Sequence, residues 1–217
     1  MQLPPQPADL YEYQRLAEQA GYSRVVGIDE AGRGPLAGPV VVAAVSFPAT
    51  VEIDGVDDSK KLGAACRQKL YAFLVGQPYV HYAVSVVSVA EIDSLNILRA
   101  TYSGMQRCAQ AFVNADLFFV DGNPVGPLGA PTVNVVKGDA KCAVIAAASI
   151  IAKVHRDTLM TRLDRRYPGY GFGAHKGYGT QAHRQTLDRL GPCAAHRRSF
   201  APVARCEYAR REQWLDL

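Results

Sequence analysis

The sequence predicts an α/β fold: a mixed β-sheet flanked by helices, with a helical C-terminal segment. Three observations carry this expectation. β-Branched runs come early, at 24–29, 40–47 and 79–89. Two more, at 116–121 and 132–137, follow a stretch of helical spacing. An Ala-rich segment then gives way to Arg and Lys. Three strands, a helix, two strands and further helices, in that order, point to one sheet covered by helices.

Each element has its own local reason. DLYEYQRLAEQAG (9–21) reads as a short amphipathic helix stopped by Gly21. RVVGID and VVVAAVSF are β-branched strands separated by a Gly-Pro segment, and YVHYAVSVVSV alternates at period two around Val80, Tyr82, Val84 and Val86. Ser88, followed three residues later by Glu91, makes a capping box. Leu95, Leu98, Tyr102, Met105, Ala109 and Phe112 continue at helical spacing, which predicts one long core helix. DLFFVD and TVNVVK are strands joined by the turn-rich GNPVGPLGAP. AKCAVIAAASIIAKVHRDTLMTRLDRRY is a helix whose apolar residues yield to basic ones, as in a helix leaving the core. Gly169 to Gly179 form a Gly-Tyr-rich loop before a last helix near Gln181 to Leu190. There is no internal repeat and no low-complexity linker.

With 217 residues, 48% hydrophobic and 20% charged, the chain can bury a full core, as one domain plus an appendage. Cys66, Cys108, Cys142, Cys193 and Cys206 are odd in number, far apart and free of C-x-x-C pairs, so neither a disulfide framework nor a zinc site is expected. A reducing cytoplasm fits. MQLPPQPADLYEY has acids and prolines where a secretion signal needs a basic start and an apolar run. The longest apolar stretch, CAVIAAASIIA, is well short of the roughly 18 residues of a membrane span. A net charge of +4 and a pI near 8.8 permit a polyanionic partner without requiring one.

The chemistry concentrates in GIDEAGRGPLAGP (27–39), where Asp29 and Glu30 stand beside four glycines, an arginine and two prolines. A dinucleotide-binding glycine loop should open a helix, and this one leads into VVVAAVSF. Taken singly, DE and GRG fit a tight strand-to-strand turn with two solvated acids. Two other acids alter the balance. Asp121 ends LFFVD and Asp139 follows VNVVKG, so each emerges where a buried strand reaches the surface, as Asp29 does. Convergence of these acids and Glu30 on one sheet edge would need cations to offset their repulsion. All-oxygen ligands favour Mg2+ or Mn2+ over zinc.

At these residues the chain resembles bacterial ribonuclease HII, the type 2 ribonuclease H family. The resemblance lies in GIDEAGRGPLAGPVVVAAV, DDSKKL, IDSLNILRATYSGMQR, VDGN, KGDAKCAVIAAASIIAKVHRD and YGFGAHKGYGT, in that order over roughly 24–200. It implies an RNase H-like core in 1–170, with 171–217 supplying a substrate-contacting loop and the helical C-terminal segment. It implies that Asp29, Glu30, Asp121 and Asp139 are the catalytic, metal-binding carboxylates, holding Mg2+ or Mn2+. The implied activity is hydrolysis of RNA in RNA/DNA hybrids and incision of duplex DNA 5′ to embedded ribonucleotides, leaving 5′-phosphate and 3′-hydroxyl ends. Two metals about 3.5–4 Å apart can activate water and stabilise the leaving 3′-oxygen without a protein nucleophile. The five histidines form no obvious acid-base pair. Ala140 departs from the serine that often follows KGD in relatives, and leaves the acids intact.

By the same resemblance Gly32, Arg33 and Gly34 sense the ribose 2′-hydroxyl. Ser59, Lys60 and Lys61 contact the substrate backbone, where a solvated loop is the bland alternative. Tyr178 stacks on the sugar next to the ribonucleotide, and His175 accompanies it. Asn96, Ser149 and Lys153 are substrate or supporting residues, although capping or packing would explain each. Arg165, Arg166, Arg197 and Arg198 are candidates for a basic surface, although isolated arginine pairs are more often simply solvated. The terminal QWLDL resembles peptides that bind sliding clamps; the alternative is a terminal helix burying Trp214 and Leu215. Two rivals stay open: another nuclease or strand-transfer enzyme of the same fold, and a catalytically silent hybrid-binding module.

Overall fold

A computed structural model of the chain describes residues 2–56 and 63–215, with side chains through 209. Strands are β1 (Val25–Ala31), β2 (Val40–Ser46), β3 (His81–Val87), β4 (Leu117–Asp121) and β5 (Thr132–Val135). Helices are α1 (Glu12–Gln19), α2 (Ala64–Gly76), α3 (Val89–Leu95), α4 (Ile97–Gln110), α5 (Ala143–Arg166), α6 (Phe172–His175), α7 (Gln181–Leu190) and α8 (Ala201–Leu215).

The chain clusters into two compact units. One comprises Met1–Ala31, Val41–Val86 and Tyr102–Val154; the other comprises Gly32–Val40, Val87–Thr101 and His155–Leu217. The second unit thus contains all of 171–217 and adds earlier stretches, among them the loop after β1.

The first unit is built on a five-stranded mixed sheet of order β3-β2-β1-β4-β5. β1 runs antiparallel to β2 and parallel to β4, which is parallel to β5. β1 and β4 are buried on successive residues, as strands covered on both faces must be. Gly27 explains how closely α5 lies on β1: a Cβ there would sit 2.3 Å from the Val144 carbonyl carbon. The Ala-rich first half of α5 is buried almost throughout. α1 adds Tyr13, whose ring lies 6.3 Å from that of Phe119.

The capping box at Ser88 and Glu91 is present and opens α3. The single long core helix expected after it is not. The helix breaks at Asn96, whose φ of 67° and ψ of 164° are close to glycine-only backbone. Asn96 Oδ1 accepts from the Leu98 and Arg99 amides and so starts α4 afresh. Leu95 and Leu98, expected in the core, are 40% and 63% exposed as a result. Helix α2 carried no sequence expectation: its apolar residues line no single face, and only Leu74 is buried.

The second unit packs around Ala37, Met160, Phe172 and Ala195, with a neighbouring cluster of Leu36, Leu187 and Val203. Among the described residues, no helix is long and apolar enough to cross a membrane.

Candidate active site

Strand register brings the first acids together. Ile28 pairs with Val120 on parallel neighbours, so the residues that follow them, Asp29 and Asp121, leave adjacent strands at the same level. Asp29 lies on the pleat face of Gly27, which is the α5 side, and is buried. The Ser149 hydroxyl of α5 donates to it, and the Glu30 amide donates to its Oδ1 at 2.7 Å. Burial pushes the Asp29 carboxyl well above the usual carboxylate range, and the negative charges of Glu30 and Asp121 push it further. The Ser149 and Glu30 hydrogen bonds pull the other way.

Asp139 reaches this end of the sheet through a single turn of 3-10 helix, Gly138–Ala140, and is buried. That turn is tied to Asp121, whose Oδ1 accepts from the Gly138 amide at 2.6 Å. Gly138 packs closely on α5: a Cβ there would lie 2.6 Å from Ile145 Cδ1, so a larger residue would make that side chain shift. Ile145, Ser149 and Lys153 are spaced four apart on α5 and follow one another along the face beside the acids. Ser149 is buried and Lys153 half-buried.

The donor set is all oxygen and anionic, which suits a hard dication. A cation at Asp29 would relieve both its burial and the repulsion from Glu30 and Asp121. Among the described residues, no three carboxylate, imidazole or thiolate groups stand at metal-holding spacing in this geometry. Two of the oxygens are turned instead to main-chain amides, those of Glu30 and Gly138. Side-chain rotation at Asp29 and Asp121 would free them.

The second unit holds Gly32, Arg33, Gly34, Asn96, His175 and Tyr178, and two buried arginines organise the loop after β1. Arg197 donates from Nη2 to Gly32 O at 2.6 Å, from Nη1 to Arg33 O at 2.8 Å and from Nε to Gly38 O at 2.9 Å. Arg156 donates to Pro39 O, Lys176 O and Ala37 O. Both are essentially inaccessible to solvent, so Arg197, expected on a basic surface, is instead an interior strut. Burial lowers its pKa, aided by the charge of Arg156, to about 9, and it stays charged at neutral pH. A trans peptide points its C=O and N–H in opposite directions. With the Gly32 and Arg33 carbonyls turned onto Arg197, the amides of Arg33 and Gly34 face away from it.

Gly32 is buried at a φ of 99°, and a Cβ there would fall 1.9 Å from Arg156 Nε. Arg33 and Gly34 are exposed. A Cβ on Gly34 would lie 3.9 Å from Tyr178 Cε1, so the glycine loop and the tyrosine are neighbours. Tyr178 is 46% exposed, and the Arg156 guanidinium lies 6.0 Å from its ring centroid. Gly177 allows this approach, because a Cβ would lie 2.4 Å from Ala37 O. His175 has Nε2 2.8 Å from Tyr170 O and accepts the Gly177 amide on Nδ1, so both nitrogens face the main chain. Asn96 is in the second unit and caps α4. Ser59, Lys60 and Lys61 lie outside the described residues, as do the side chains of QWLDL.

Arg156 had a signal in the sequence: it falls four residues after Ala152 and four before Met160, on a buried stripe of α5. Arg197 was masked by its neighbour Arg198, which pairs with Glu207 at the surface.

Comparison with known proteins resolves the identity of this arrangement. The sequence profile of the family described as Ribonuclease HII matches residues 26–203. The chain belongs to the ribonuclease HII family. It is 49% identical to ribonuclease HII of Syntrophotalea carbinolica, over 89% of this chain and 92% of that one. It is 51% identical to ribonuclease HII of Chlamydia trachomatis, over 88% of each. Among solved structures it matches ribonuclease H2 from Pyrococcus horikoshii, with a TM-score of 0.70 at 28% identity, covering 87% of this chain and 99% of that one. It also matches the PCNA:RNase HII complex from Archaeoglobus fulgidus, with a TM-score of 0.66 at 28% identity, covering 80% and 93%. Bst-RNase HIII in complex with Mn2+ shares the fold, with a TM-score of 0.68 at 19% identity, covering 95% and 75%. The chain is therefore a ribonuclease H-type hydrolase, from a family of divalent-metal-dependent endonucleases acting on RNA/DNA hybrids.

Proposed function

We propose that this member of the ribonuclease HII family incises duplex DNA 5′ to embedded ribonucleotides as well as cutting RNA in hybrids, leaving 5′-phosphate and 3′-hydroxyl ends. The observation that carries the proposal is the side-by-side emergence of Asp29 and Asp121 from parallel strands, with the Asp139 turn tied to Asp121. Asp29, Glu30, Asp121 and Asp139 would hold Mg2+ or Mn2+, and Mn2+ gains support from the RNase HIII relative. Bound metal supplies the positive charge that activates water and stabilises the leaving 3′-oxygen.

The protein's own contribution is placement. Ser149 and the Glu30 amide orient the Asp29 carboxylate, and the Gly138 amide orients Asp121. Lys153, on the same α5 face, supplies a cation for a substrate phosphate. The Arg33 and Gly34 amides, turned outward by Arg197, donate to the 2′-hydroxyl, and the exposed Tyr178 ring packs on the adjacent sugar. Gly32 gives the loop its turn, His175 supports the Tyr178 loop, Asn96 sets the start of α4 for a backbone contact, and Ser59, Lys60 and Lys61 bind the strand. Only Ala31 lies between Glu30 and Gly32, so the loop assigned to reading follows directly in the chain on the strand that bears two of the acids. In this assignment residues 1–170 do the cutting in the cytoplasm, and 171–217 add substrate contacts. QWLDL would meet a sliding clamp; the archaeal complex of a relative with PCNA supports a clamp as a partner.

The test is cleavage of duplex DNA carrying one ribonucleotide, mapped at nucleotide resolution with Mg2+ or Mn2+. Incision 5′ to the ribose is expected, with Asp121→Asn and Asp139→Asn losing nearly all turnover while melting and hybrid binding persist. Wild-type turnover in either variant, or equal cutting of ribose-free DNA, would refute the assignment.

A further inference from the structure

The loop that carries Tyr178 rests on a line of hydrogen bonds whose protons have one workable order. The Cys193 amide donates to His196 Nδ1 at 3.1 Å, so a neutral His196 carries its proton on Nε2. That Nε2 faces His183 Nε2 at 3.1 Å, where one nitrogen must donate and the other accept. His183 therefore accepts on Nε2 and carries its proton on Nδ1. This nitrogen lies 2.9 Å from Tyr178 O, a pure acceptor. Every link agrees with the next. A further proton on either ring would set N–H against N–H at His183 Nε2, or against the Cys193 amide at His196 Nδ1.

The surroundings favour the neutral pair. Both rings are buried. His175 stacks on His183 at 4.2 Å, the edge of Phe172 meets it at 5.7 Å, and the Tyr170 ring lies 5.1 Å from His196. Cys193 Sγ is 3.2 Å from His196 Nδ1. Arg197, next in the chain, turns its charge to the carbonyls of Gly32, Arg33 and Gly38. Burial pushes both imidazoles below their ordinary range, His196 to about 4.

The line also leads somewhere. His196 forms a β-bridge with Ala37, and the neighbouring Ala195 carbonyl accepts the Gly38 amide at 2.8 Å. One end is thus fixed to the Gly32–Val40 loop and the other to the Tyr178 main chain.

We propose that His183 and His196 are positioning residues that hold Tyr178 in register with the glycine loop through one fixed pair of tautomers. This rests on the assignment of Tyr178 as a substrate contact. Without the His183 bond, the Tyr178 carbonyl keeps the Thr180 amide and the Tyr178 amide keeps the His175 carbonyl, while the Gly177 carbonyl before it accepts the Leu36 amide at 2.8 Å; the His183 bond is what ties the Tyr178 carbonyl itself to the line.

Two measurements on the full chain test it. The first reads imidazole nitrogens of the wild type by long-range proton–nitrogen NMR between pH 5 and 8. His183 should carry its proton on Nδ1 and His196 on Nε2, both titrating below the ordinary histidine value; opposite tautomers, or titration at that ordinary value, overturn the proposal. The second is single-turnover cleavage of a one-ribose duplex. His183→Leu should slow it about tenfold, the size of one hydrogen bond. His183→Asn, whose amide can donate where Nδ1–H did, should restore it to within about twofold. Adding Tyr178→Ala to His183→Leu should cost little beyond Tyr178→Ala alone. Equal rates for Leu and Asn, or losses that simply multiply, overturn the positioning role. If Tyr178→Ala alone costs nothing, the substrate contact is wrong and the proposal falls with it, whatever tautomers the NMR shows.

Discussion

Replacing Arg197 by Met is the sharpest test of how the glycine loop is held. The change keeps a long apolar stem and removes three hydrogen bonds to the Gly32, Arg33 and Gly38 carbonyls, at 2.6, 2.8 and 2.9 Å. Each carbonyl left without its donor costs about 1–3 kcal/mol. Removing a buried cation returns part of that, because burial already disfavours the charge. A net loss of about 3 kcal/mol is expected, which for a chain of this size lowers the melting midpoint by roughly 6–12 °C. The Arg33 and Gly34 amides also lose their fixed direction. Single-turnover cleavage of a one-ribose duplex should therefore fall further than hybrid binding does. Arg197→Lys, a point donor in place of a fork, should lie between. The control is Arg198→Met next door: its side chain is 53% exposed and pairs with Glu207, a contact worth less than about 1 kcal/mol. If Arg197→Met melts within about 2 °C of wild type and cuts the one-ribose duplex at the wild-type rate, the strut is not what orients the loop.

Two further outcomes follow from the second unit. Tyr178→Ala should slow one-ribose cleavage roughly ten- to a hundredfold with either metal, the value of one stacking contact of about 1–3 kcal/mol, whereas Tyr178→Phe should keep most activity; matched duplexes with one ribose, four riboses or none give the comparison. The buried histidines should make the fold acid-sensitive: an unfolded imidazole takes its proton near pH 6.5 while native His196 resists until about 4, so stability is full above pH 6.5 and lost as pH falls toward 4, by up to about 3 kcal/mol for His196. Urea unfolding at pH 7.0, 5.5 and 4.5 measures it, and an unchanged slope in His196→Asn would refute the cause.

Much of the sheet was legible in the sequence because β1, β2 and β4 are buried on both faces and rich in Val, Ile and Phe, a pattern that few other structures tolerate. The acids at strand ends were legible for the same reason, since a carboxylate closing an apolar run marks where the strand surfaces. What sequence spacing could not show was the break at Asn96. Helical periodicity runs straight through it, and only the backbone angles reveal that one side chain restarts the helix. Helix α2 escaped because its apolar residues make no face. Arg197 escaped because charge next to charge reads as surface, whereas its partners are carbonyls that carry no sequence signature. The His183–His196 line depends on two rings thirteen positions apart meeting at their far nitrogens, which no local pattern encodes.

The parallel pairing of β1 with β4 has a consequence for how the enzyme comes into being. Val25 pairs with Leu117, and 117 − 25 = 92 positions separate them. Parallel neighbours so far apart close late, because the long intervening loop must lose its freedom before the ladder forms. On the ribosome, at about 5–20 residues per second, Asp29 is made roughly 5–20 s before Asp121 exists. The strand-end acids therefore cannot come together on a growing chain that stops short of β4, and a truncated product keeps Asp29 and Glu30 on a β1 that is paired with β2 alone.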